Sequence, residues 1–322
     1  MKRRLLLATA ATLLATPAFA QTKWDLPAAY PARNYHTVNL QTFADSVKAS
    51  SGGKLEIVVH PGASLFKAPE IKRAVQTGQA PIGEILVSNF ENEDPVYGVD
   101  VVPFLASSFP EAKKLWAAQK PVLEKKAAAQ GMMVLFAVPW PPQGLYAKKE
   151  VNQLADMKGM KFRAYNRGTS RIAELTGAQP ITIQAAELSQ ALATGKVDSF
   201  ISSGATGVDS KVWEQLTHFY DTQAWLPKNA VLMNKAAFDK LDPATQKVVL
   251  AEAAKAEALG WAEAERLSAG FLETLAKNGM KVQPPSPKLA GEYKELGKKL
   301  TAEWLEKAGP DGKAVVDAYN KN

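Results

Sequence analysis

The sequence predicts an α/β fold with two lobes that close like a clamshell and share one long bridging helix. Three observations carry this prediction. Short β-rich runs alternate with segments of helical spacing, one helix, turn and strand unit occurs twice, and one helical segment is longer than a lobe is wide. Hydrophobic residues make up 46 % of the chain, which excludes a disordered protein. A mature length of about 300 residues favours two domains over a single core.

Six short runs rich in β-branched and aromatic residues are predicted as strands. Each ends at or beside Pro, Gly, Asn or Ser, which commonly terminate strands. The runs lie at residues 54–62, 81–89, 132–140, 160–166, 197–203 and 229–235. Helical spacing fills the gaps between them, and this alternation is the α/β pattern.

Two stretches share one pattern, PEIKRAVQTGQAPIGEILVS and AELSQALATGKVDSFISS. When Glu70 is aligned with Glu187, the Thr-Gly pair at Thr77 falls on the pair at Thr194. Each copy is then an acidic helix start, an apolar face, a Thr-Gly stop and a strand. We interpret the match as a structural duplication with one copy per lobe. The alternative is a chance likeness between two ordinary helix, glycine and strand units.

Residues 243–278 form the predicted bridging helix. Asp242 precedes it as N-cap, Pro243 takes the first helical position, and Asn278 with the following glycine ends it. Some 35 residues at 1.5 Å rise give a length of about 50 Å, so this helix is expected to brace both lobes. Gly260, near its middle, is a candidate kink position.

The first 20 residues are predicted to be a secretory signal peptide, so the mature chain is expected to begin at Gln21. MKRR is a short cationic start, LLLATAATLLA an apolar run, and TPAFA a small-residue cleavage pattern. No later segment approaches the ~20 apolar residues of a membrane helix, so the mature chain is not expected to be membrane-embedded. The expected division is lobe I at 21–142 with part of 230–275, lobe II at 143–229 with part of the C-terminal helices, and those helices at 286–322.

The composition excludes several classes of function. The chain has no Cys, which excludes disulfides, thiol catalysis and Cys-based metal sites, and an exported chain without Cys suits a bacterial periplasm. The net charge of +7 includes three cations of the leader, which leaves a mature charge of about +4. No Lys/Arg block is interleaved with stacking aromatic residues, so nucleic acid is not an expected partner.

The usual catalytic patterns are missing from the sequence. The three histidines, His36, His60 and His218, show no metal-binding spacing, and no GxSxG elbow, P-loop or GxGxxG follows a strand. A catalytic dyad assembled by the fold stays open, but no enzyme, metal site or cofactor is expected. Aromatic, amide and hydroxyl side chains at strand ends, where α/β folds bind ligands, instead favour a solute-binding protein.

Four segments carry a family resemblance: KRAVQTGQAPIG, DVVPFL, DMKGMKFRAYN and ALATGKVDSF, in that order and followed by the long helix. Together they resemble the DctP-type solute receptors of TRAP transporters. The resemblance implies a periplasmic-binding-protein-like clamshell that closes on a small organic acid and delivers it to the small and large membrane permease subunits. An ABC-type solute-binding protein and, less favoured, an exported enzyme acting on a small carboxylate remain as alternatives.

The resemblance implies that Arg163, the arginine of the family's K-x-R strand, pairs with the ligand carboxylate. The position in the predicted strand agrees with this role, because Arg163 lies near the carboxyl end of the strand, beside Asn166. Its planar fork can hold a carboxylate through two hydrogen bonds. Arg167 and Arg171 belong to the following helix and are expected on a solvated face.

Two departures from the family pattern bear on the ligand. Many members of the family have a second arginine at about the position that Gln143 takes in this chain. Where they have a ligand-contacting Asn, this chain has Ser202, which is followed by Ser203. Fewer polar partners favour a monocarboxylate with an apolar or aromatic body.

Glu84, an acid in the middle of a strand, is expected to be a hinge residue or an arginine partner. The remaining candidates for ligand contact follow other strands: Trp140, Trp225, Phe90, Ser88, Tyr30 and Asn34.

Overall fold

The computed structural model describes residues 21–321, and the predicted signal peptide lies outside this range. The strands are β1 (Thr22–Pro27), β2 (Leu55–His60), β3 (Ile82–Leu86), β4 (Met132–Pro139), β5 (Gln143–Ala147), β6 (Lys161–Ala164), β7 (Gln179–Thr182), β8 (Ser199–Ser203), β9 (His218–Tyr220), β10 (Lys228–Asn234) and β11 (Lys281–Gln283). The helices are α1 (Tyr35–Ser50), α2 (Ala68–Gln76), α3 (Phe109–Ala129), α4 (Arg167–Leu175), α5 (Leu188–Ala193), α6 (Gly204–Asp209), α7 (Lys235–Asp239), α8 (Pro243–Lys277) and α9 (Pro287–Lys321). All six predicted strands are confirmed.

The first lobe is built on two small sheets. Strands β1 and β2 pair in parallel, and β10 lies between β3 and β4, antiparallel to both. Every residue of β10 is buried, as expected for a central strand covered on both faces. Helices α1, α2, α3 and α8 pack on these sheets. The resulting core includes Leu26, Phe43 and Phe136.

The second lobe contains a six-stranded mixed sheet in the order β11, β9, β5, β8, β6, β7. The pairs β11 with β9, β8 with β6 and β6 with β7 are parallel, whereas β5 is antiparallel to both of its neighbours. Separate apolar clusters cover this sheet, one around Phe162 and one around Phe200. Two lobes with separate cores confirm the predicted fold class, while the residue bounds of the lobes stay predictions.

The long helix is confirmed and contacts both lobes. Asp242 caps its start, since Oδ1 accepts hydrogen bonds from the backbone N–H groups of Ala244 and Thr245. Along its length α8 contacts α1 and β4 of the first lobe, then α6 and β11 of the second. The helix is continuous through Gly260, and the kink expected there stays a prediction. A Cβ there would lie 2.4 Å from Cγ2 of Val138, so the glycine allows close packing on β4.

The C-terminal segment is helical, as predicted, and returns to the first lobe. Gly309, with φ of 53°, breaks α9 into two helical parts. Before the break, Trp304 donates from Nε1 to the carbonyl oxygen of Pro95 at 2.8 Å. After it, the hydroxyl of Tyr319 donates to the carbonyl oxygen of Leu105 at 3.0 Å. The chain end therefore forms a second connection between the lobes.

The duplicated units adopt matching local structures in the two lobes. The hydroxyls of Thr77 and Thr194 each donate at 2.9 Å to the carbonyl oxygen four residues earlier. Each threonine is followed by a glycine in the left-handed region, with φ of 75° at Gly78 and 64° at Gly195. Strands β3 and β8 follow. The two copies present the starts of their helical segments to the same space between the lobes.

Candidate functional site

A cavity of about 250 Å³ lies between the two lobes. The first lobe contributes the loop after β1, the start of α2 and the end of β4. The second contributes β6, β8 and the segment after β7. The polar or aromatic residues that line the cavity are Tyr30, Lys67, Trp140, Gln143, Arg163, Tyr165, Gln184, Glu187, Ser202 and Thr206. The other lining residues are small or apolar and include Ala29, Ala63, Ala68, Leu86, Ala185, Ala186 and Pro227.

Arg163 is the cation at the base of this cavity. Its side chain is only 3 % exposed, and its Nε donates to the carbonyl oxygen of Ile183 at 2.8 Å. Within residues 21–321 no carboxylate approaches the guanidinium to 4.0 Å. Burial lowers the pKa of Arg163 to about 10, so it stays protonated at neutral pH. A buried cation without a counter-ion is costly, and its remaining N–H donors are free for an anion.

Tyr165 supports the guanidinium from one side. The guanidinium carbon lies 5.0 Å from the centroid of its ring, within cation–π range. The hydroxyl of Tyr165 accepts a hydrogen bond from Nε1 of Trp225 at 3.1 Å and lies 3.5 Å from Oε1 of Gln143. The amide of Gln143 is itself oriented, because its Nε2 donates to the carbonyl oxygen of Pro141 at 2.9 Å. These contacts fix the ring and hence the arginine.

Two aromatic residues of the first lobe form the opposite wall. The rings of Tyr30 and Trp140 meet edge to face with centroids 4.7 Å apart. Nε1 of Trp140 donates to Oδ1 of Asn229 at 2.9 Å, which fixes the indole. Burial raises the pKa of Tyr30, and Glu84 raises it further, whereas the positive charge of Arg163 lowers it. The hydroxyl of Tyr30 is therefore a neutral donor within the electrostatic field of Arg163.

The sequence and structure comparisons identify the family. The model of DctP, described as bacterial extracellular solute-binding protein, family 7, matches residues 29–308. The chain belongs to the DctP family. This confirms the resemblance proposed from the sequence. Members of the family are solute-binding proteins rather than enzymes, so this DctP-family protein is a receptor for a small solute.

Three solved structures are especially similar to this DctP-family protein. DctP6 of Bordetella pertussis, an extracytoplasmic solute receptor binding pyroglutamic acid, is 56 % identical, with a TM-score of 0.92 over 94 % of this chain and 100 % of that one. A marine metagenome TRAP solute-binding protein specific for pyroglutamate is 49 % identical, with a TM-score of 0.92 over 94 % and 99 %. DctP7 of Bordetella pertussis, also binding pyroglutamic acid, is 47 % identical, with a TM-score of 0.92 over 93 % and 99 %.

Five of the predicted contact residues line the cavity of this DctP-family protein, and six do not. Those in the wall are Tyr30, Trp140, Gln143, Arg163 and Ser202. Those outside it are Asn34, Ser88, Phe90, Asn166, Ser203 and Trp225. Most of the second group follow strands, as the sequence suggested, but the contacts described below direct their side chains elsewhere.

Asn34 is a helix cap and a contact between the lobes. Its Oδ1 accepts from the backbone N–H of His36 at the start of α1. Its Nδ2 donates to Oδ2 of Asp209, at the end of α6, at 2.6 Å. Arg33 also reaches Asp209. Burial raises the pKa of Asp209. These residues hold the lobes together near the cavity without lining it.

Ser88 and Asn166 form a second contact between the lobes. Asn166 caps α4, because its Oδ1 accepts from the backbone N–H of Thr169 at 2.8 Å. Its Nδ2 donates to Oγ of Ser88, in the turn after β3, at 2.9 Å. Asn166 therefore follows the Arg163 strand as predicted, but its amide is used by the helix and by the opposite lobe rather than turned into the cavity.

The other three residues outside the wall have structural contacts. Ser203 caps α6, its Oγ accepting from the backbone N–H of Thr206 at 3.3 Å. Phe90 packs beneath the ammonium group of Lys72, 5.5 Å from its ring centroid. Trp225 lies behind Tyr165 and is almost fully buried. Trp225 thus acts on the site indirectly, by orienting the tyrosine.

Sequence reasoning missed five polar lining residues: Tyr165, Lys67, Gln184, Glu187 and Thr206. Tyr165 lies two residues beyond Arg163, so strand periodicity could have found it on the same face. Lys67 and Glu187 stand at the starts of the duplicated units, so the internal repeat also held a usable signal. No comparable signal distinguishes Gln184 or Thr206.

The described part of the chain, residues 21–321, contains neither a helix long and apolar enough to cross a membrane nor a group of three side chains suited to hold a metal ion. Glu84 is not an arginine partner, contrary to one of the expectations. Its carboxyl group lies behind the aromatic wall, near His36, and does not line the cavity.

Proposed function

We propose that this protein is the periplasmic receptor of a TRAP transporter for a small cyclic monocarboxylate, with pyroglutamate as the leading ligand. It would close on the acid and deliver it to the small and large membrane permease subunits. The observation that carries the proposal is Arg163, a buried cation without a carboxylate partner among the described residues, in a small and largely apolar cavity. The pyroglutamate-binding relatives support the choice of ligand.

The charge balance of the cavity favours one carboxylate. Arg163 is the buried cation in its wall, whereas Lys67 stands exposed at the edge. The amide of Gln143 is neutral and already oriented by Pro141. A second ligand carboxylate would therefore be buried without a cation, at a cost of several kcal/mol. A dicarboxylate such as succinate should bind poorly.

The remaining features of pyroglutamate match the wall chemistry. Its ring methylene groups suit Trp140 and Leu86, and its lactam N–H and C=O groups suit the amide and hydroxyl side chains of Gln143, Ser202 and Thr206. At a ceiling of about 1.5 kcal/mol per non-hydrogen atom, its nine such atoms allow about 13 kcal/mol. Micromolar affinity needs about 8 kcal/mol, so a ligand of this size is sufficient.

Calorimetry with a panel of acids tests the proposal. We expect L-pyroglutamate to bind with micromolar or better affinity and to be recovered unchanged. The lactone analogue 5-oxotetrahydrofuran-2-carboxylate, which lacks the N–H, should bind more weakly, and L-proline, L-glutamate and succinate should bind much more weakly. Preferential binding of a dicarboxylate, or turnover of the bound acid, would overturn the proposal.

The exported protein should begin at Gln21 when its N-terminus is sequenced.

A further inference from the structure

Two consecutive residues in the wall of the cavity have a left-handed backbone conformation. Gly62 has φ of 66° and Ala63 has φ of 58°, in the turn between β2 and α2. Both residues line the cavity. In this conformation the Cβ of an L-residue lies too close to the following carbonyl oxygen, so glycine is the usual residue and alanine costs free energy. Ala63 is therefore the unusual member of the pair.

The chain has glycine at other positions where only the backbone conformation is needed. At Gly62 an added Cβ would have no neighbouring atom of residues 21–321 within 4 Å, so the glycine serves the conformation and not close packing. The same is true of Gly131 and Gly195, with φ of 72° and 64°. The alanine that follows Gly62 needs another explanation.

Three other residues show the same strain away from the cavity. Within residues 21–321, the other non-glycine residues with positive φ are Phe104, Lys211 and Gln223, and none of them lines the cavity. The ring of Phe104 packs against Gly297 of α9. Lys211 and Gln223 are exposed. Ala63 is thus the one of these four residues that adjoins the space for a ligand.

The first strand fixes the backbone of the Gly62–Ala63 turn. The N–H of Gly62 donates to the carbonyl oxygen of Tyr30 at 2.7 Å, and the N–H of Ala63 donates to that of Ala28 at 2.9 Å. These bonds hold the turn across the end of β1, beside the aromatic wall. Because both N–H groups are used within the protein, Ala63 offers a ligand its methyl group or its carbonyl oxygen.

Ala63 belongs to the apolar side of the cavity. Arg163, the proposed anchor, lies in the second lobe, whereas the first lobe places Ala29, Ala68 and Leu86 in the wall together with Ala63. A monocarboxylate held by Arg163 directs the rest of its structure toward these apolar side chains. The ring of the ligand therefore meets the wall to which Ala63 contributes.

We propose that Ala63 is a specificity-determining residue, whose methyl group closes the apolar side of the cavity against the ligand ring and limits the size of that ring. Strained backbone conformations occur preferentially at ligand sites, where they position a group for binding. The methyl group of Ala63 accounts for the retention of alanine where glycine would be unstrained. This role rests on the proposed function, because it requires a cyclic monocarboxylate held at Arg163.

Calorimetry with L-pyroglutamate and its six-membered homologue, L-6-oxopiperidine-2-carboxylate, tests the proposal. The wild type should bind the homologue about fivefold to 150-fold more weakly, the effect of one extra methylene in a packed site. Ala63→Gly keeps the turn and the carbonyl oxygen but removes the methyl group. It should bind L-pyroglutamate about fourfold more weakly, and its preference for the five-membered ring should shrink at least about threefold. Its ligand-free Tm should stay unchanged or rise, because the strain is relieved.

Lys211→Gly is the matched control. It relieves the same strain at an exposed residue that does not line the cavity. Its ligand-free Tm should also stay unchanged or rise, while its affinities for both acids stay at the wild-type values. An equal change of ring preference in Lys211→Gly and Ala63→Gly would show that backbone relaxation, and not the methyl group, causes the effect, and would overturn the proposal.

Ala63→Asn tests the same position in the opposite direction. Asn tolerates the left-handed conformation better than most residues, and its longer side chain takes up space in the cavity. This variant should bind L-pyroglutamate at least about tenfold more weakly than the wild type. Wild-type affinity in Ala63→Asn, or an unchanged ring preference in Ala63→Gly, would refute the assigned role.

The wild-type measurements separate this role from the proposed function. Equal affinity of the wild type for the two ring sizes would refute the size limit at Ala63 and leave the receptor function intact. Failure of the wild type to bind either acid would refute the proposed function, and the role of Ala63 with it.

Discussion

Replacement of Arg163 should abolish ligand binding without weakening the fold. In the proposed complex the ligand carboxylate accepts two charge-assisted hydrogen bonds from Arg163, each contributing about 1.5–3 kcal/mol, and Arg163→Gln removes both. The expected loss is about 3–6 kcal/mol, or about 10² to 10⁴ in affinity. Calorimetry with L-pyroglutamate measures this loss directly.

Stability provides a second measurement in the same variant. The wild-type protein buries the guanidinium without a counter-ion, so its removal relieves a desolvation cost. The opposing cost is the hydrogen bond to the carbonyl oxygen of Ile183, about 0.5–1.5 kcal/mol. We therefore expect the ligand-free Tm to stay unchanged or to rise, whereas the ligand-induced rise in Tm disappears.

Arg167→Gln is the control, because Arg167 lies on the exposed start of α4 and does not line the cavity. Its affinity should stay within about threefold of wild type, in line with the small effect of most surface substitutions. Equal losses in the two variants, or a loss below tenfold in Arg163→Gln, would refute the assignment of Arg163 as the carboxylate anchor. A lowered ligand-free Tm would show that the arginine supports the fold instead.

Three further predictions follow from other contacts. Gln143→Arg should shift the preference toward dicarboxylates, and a calorimetric panel with no gain for succinate would contradict the charge argument. Asn34→Ala removes the 2.6 Å contact to Asp209 and should lower affinity about threefold to thirtyfold, seen as faster ligand release in stopped flow; unchanged release would show that this contact does not hold the lobes around the ligand. Gly260→Ala should lower the free energy of unfolding by about 1–2 kcal/mol in urea denaturation, because overpacking outweighs the gain in helix propensity. Gly270→Ala in the same helix has no atom within 4 Å of the added Cβ and should be neutral or stabilising, and equal destabilisation of both would contradict the packing argument.

The sequence predicted the elements whose causes are local. The bridging helix could be delimited because Asp242 and Pro243 form a start signal and Asn278 is followed by a stop signal. Arg163 could be predicted to line the cavity because its position in the strand and the family pattern agree on this residue, and it does line the cavity. The duplicated units could be recognised because each requires a glycine with positive φ after its threonine.

Gly260 illustrates what the sequence left undecided. A glycine in the middle of a helix is compatible with a kink or with the close approach of a neighbour, and only the position of Val138 on β4 reveals the close approach. Glu84 is a similar case. An acid in the middle of a strand can be an ion-pair partner or a buried neutral group, and the outcome depends on His36 and Asn229, which are distant in the chain.

The sequence by itself determined the two-lobed α/β fold and the long helix, because short-range patterns specify strands and helix caps. It also led to Arg163 as the proposed carboxylate anchor, through the family resemblance and the position of this residue near the end of its strand. The tertiary structure decided which polar residues after the strands reach the cavity. The sequence predicts Asn34, Asn166 and Ser203 as ligand contacts because polar residues at strand ends bind ligands, yet the same residue types cap the helices that begin there. The two roles share one local signature, so only the arrangement of the lobes separates a helix cap from a ligand contact.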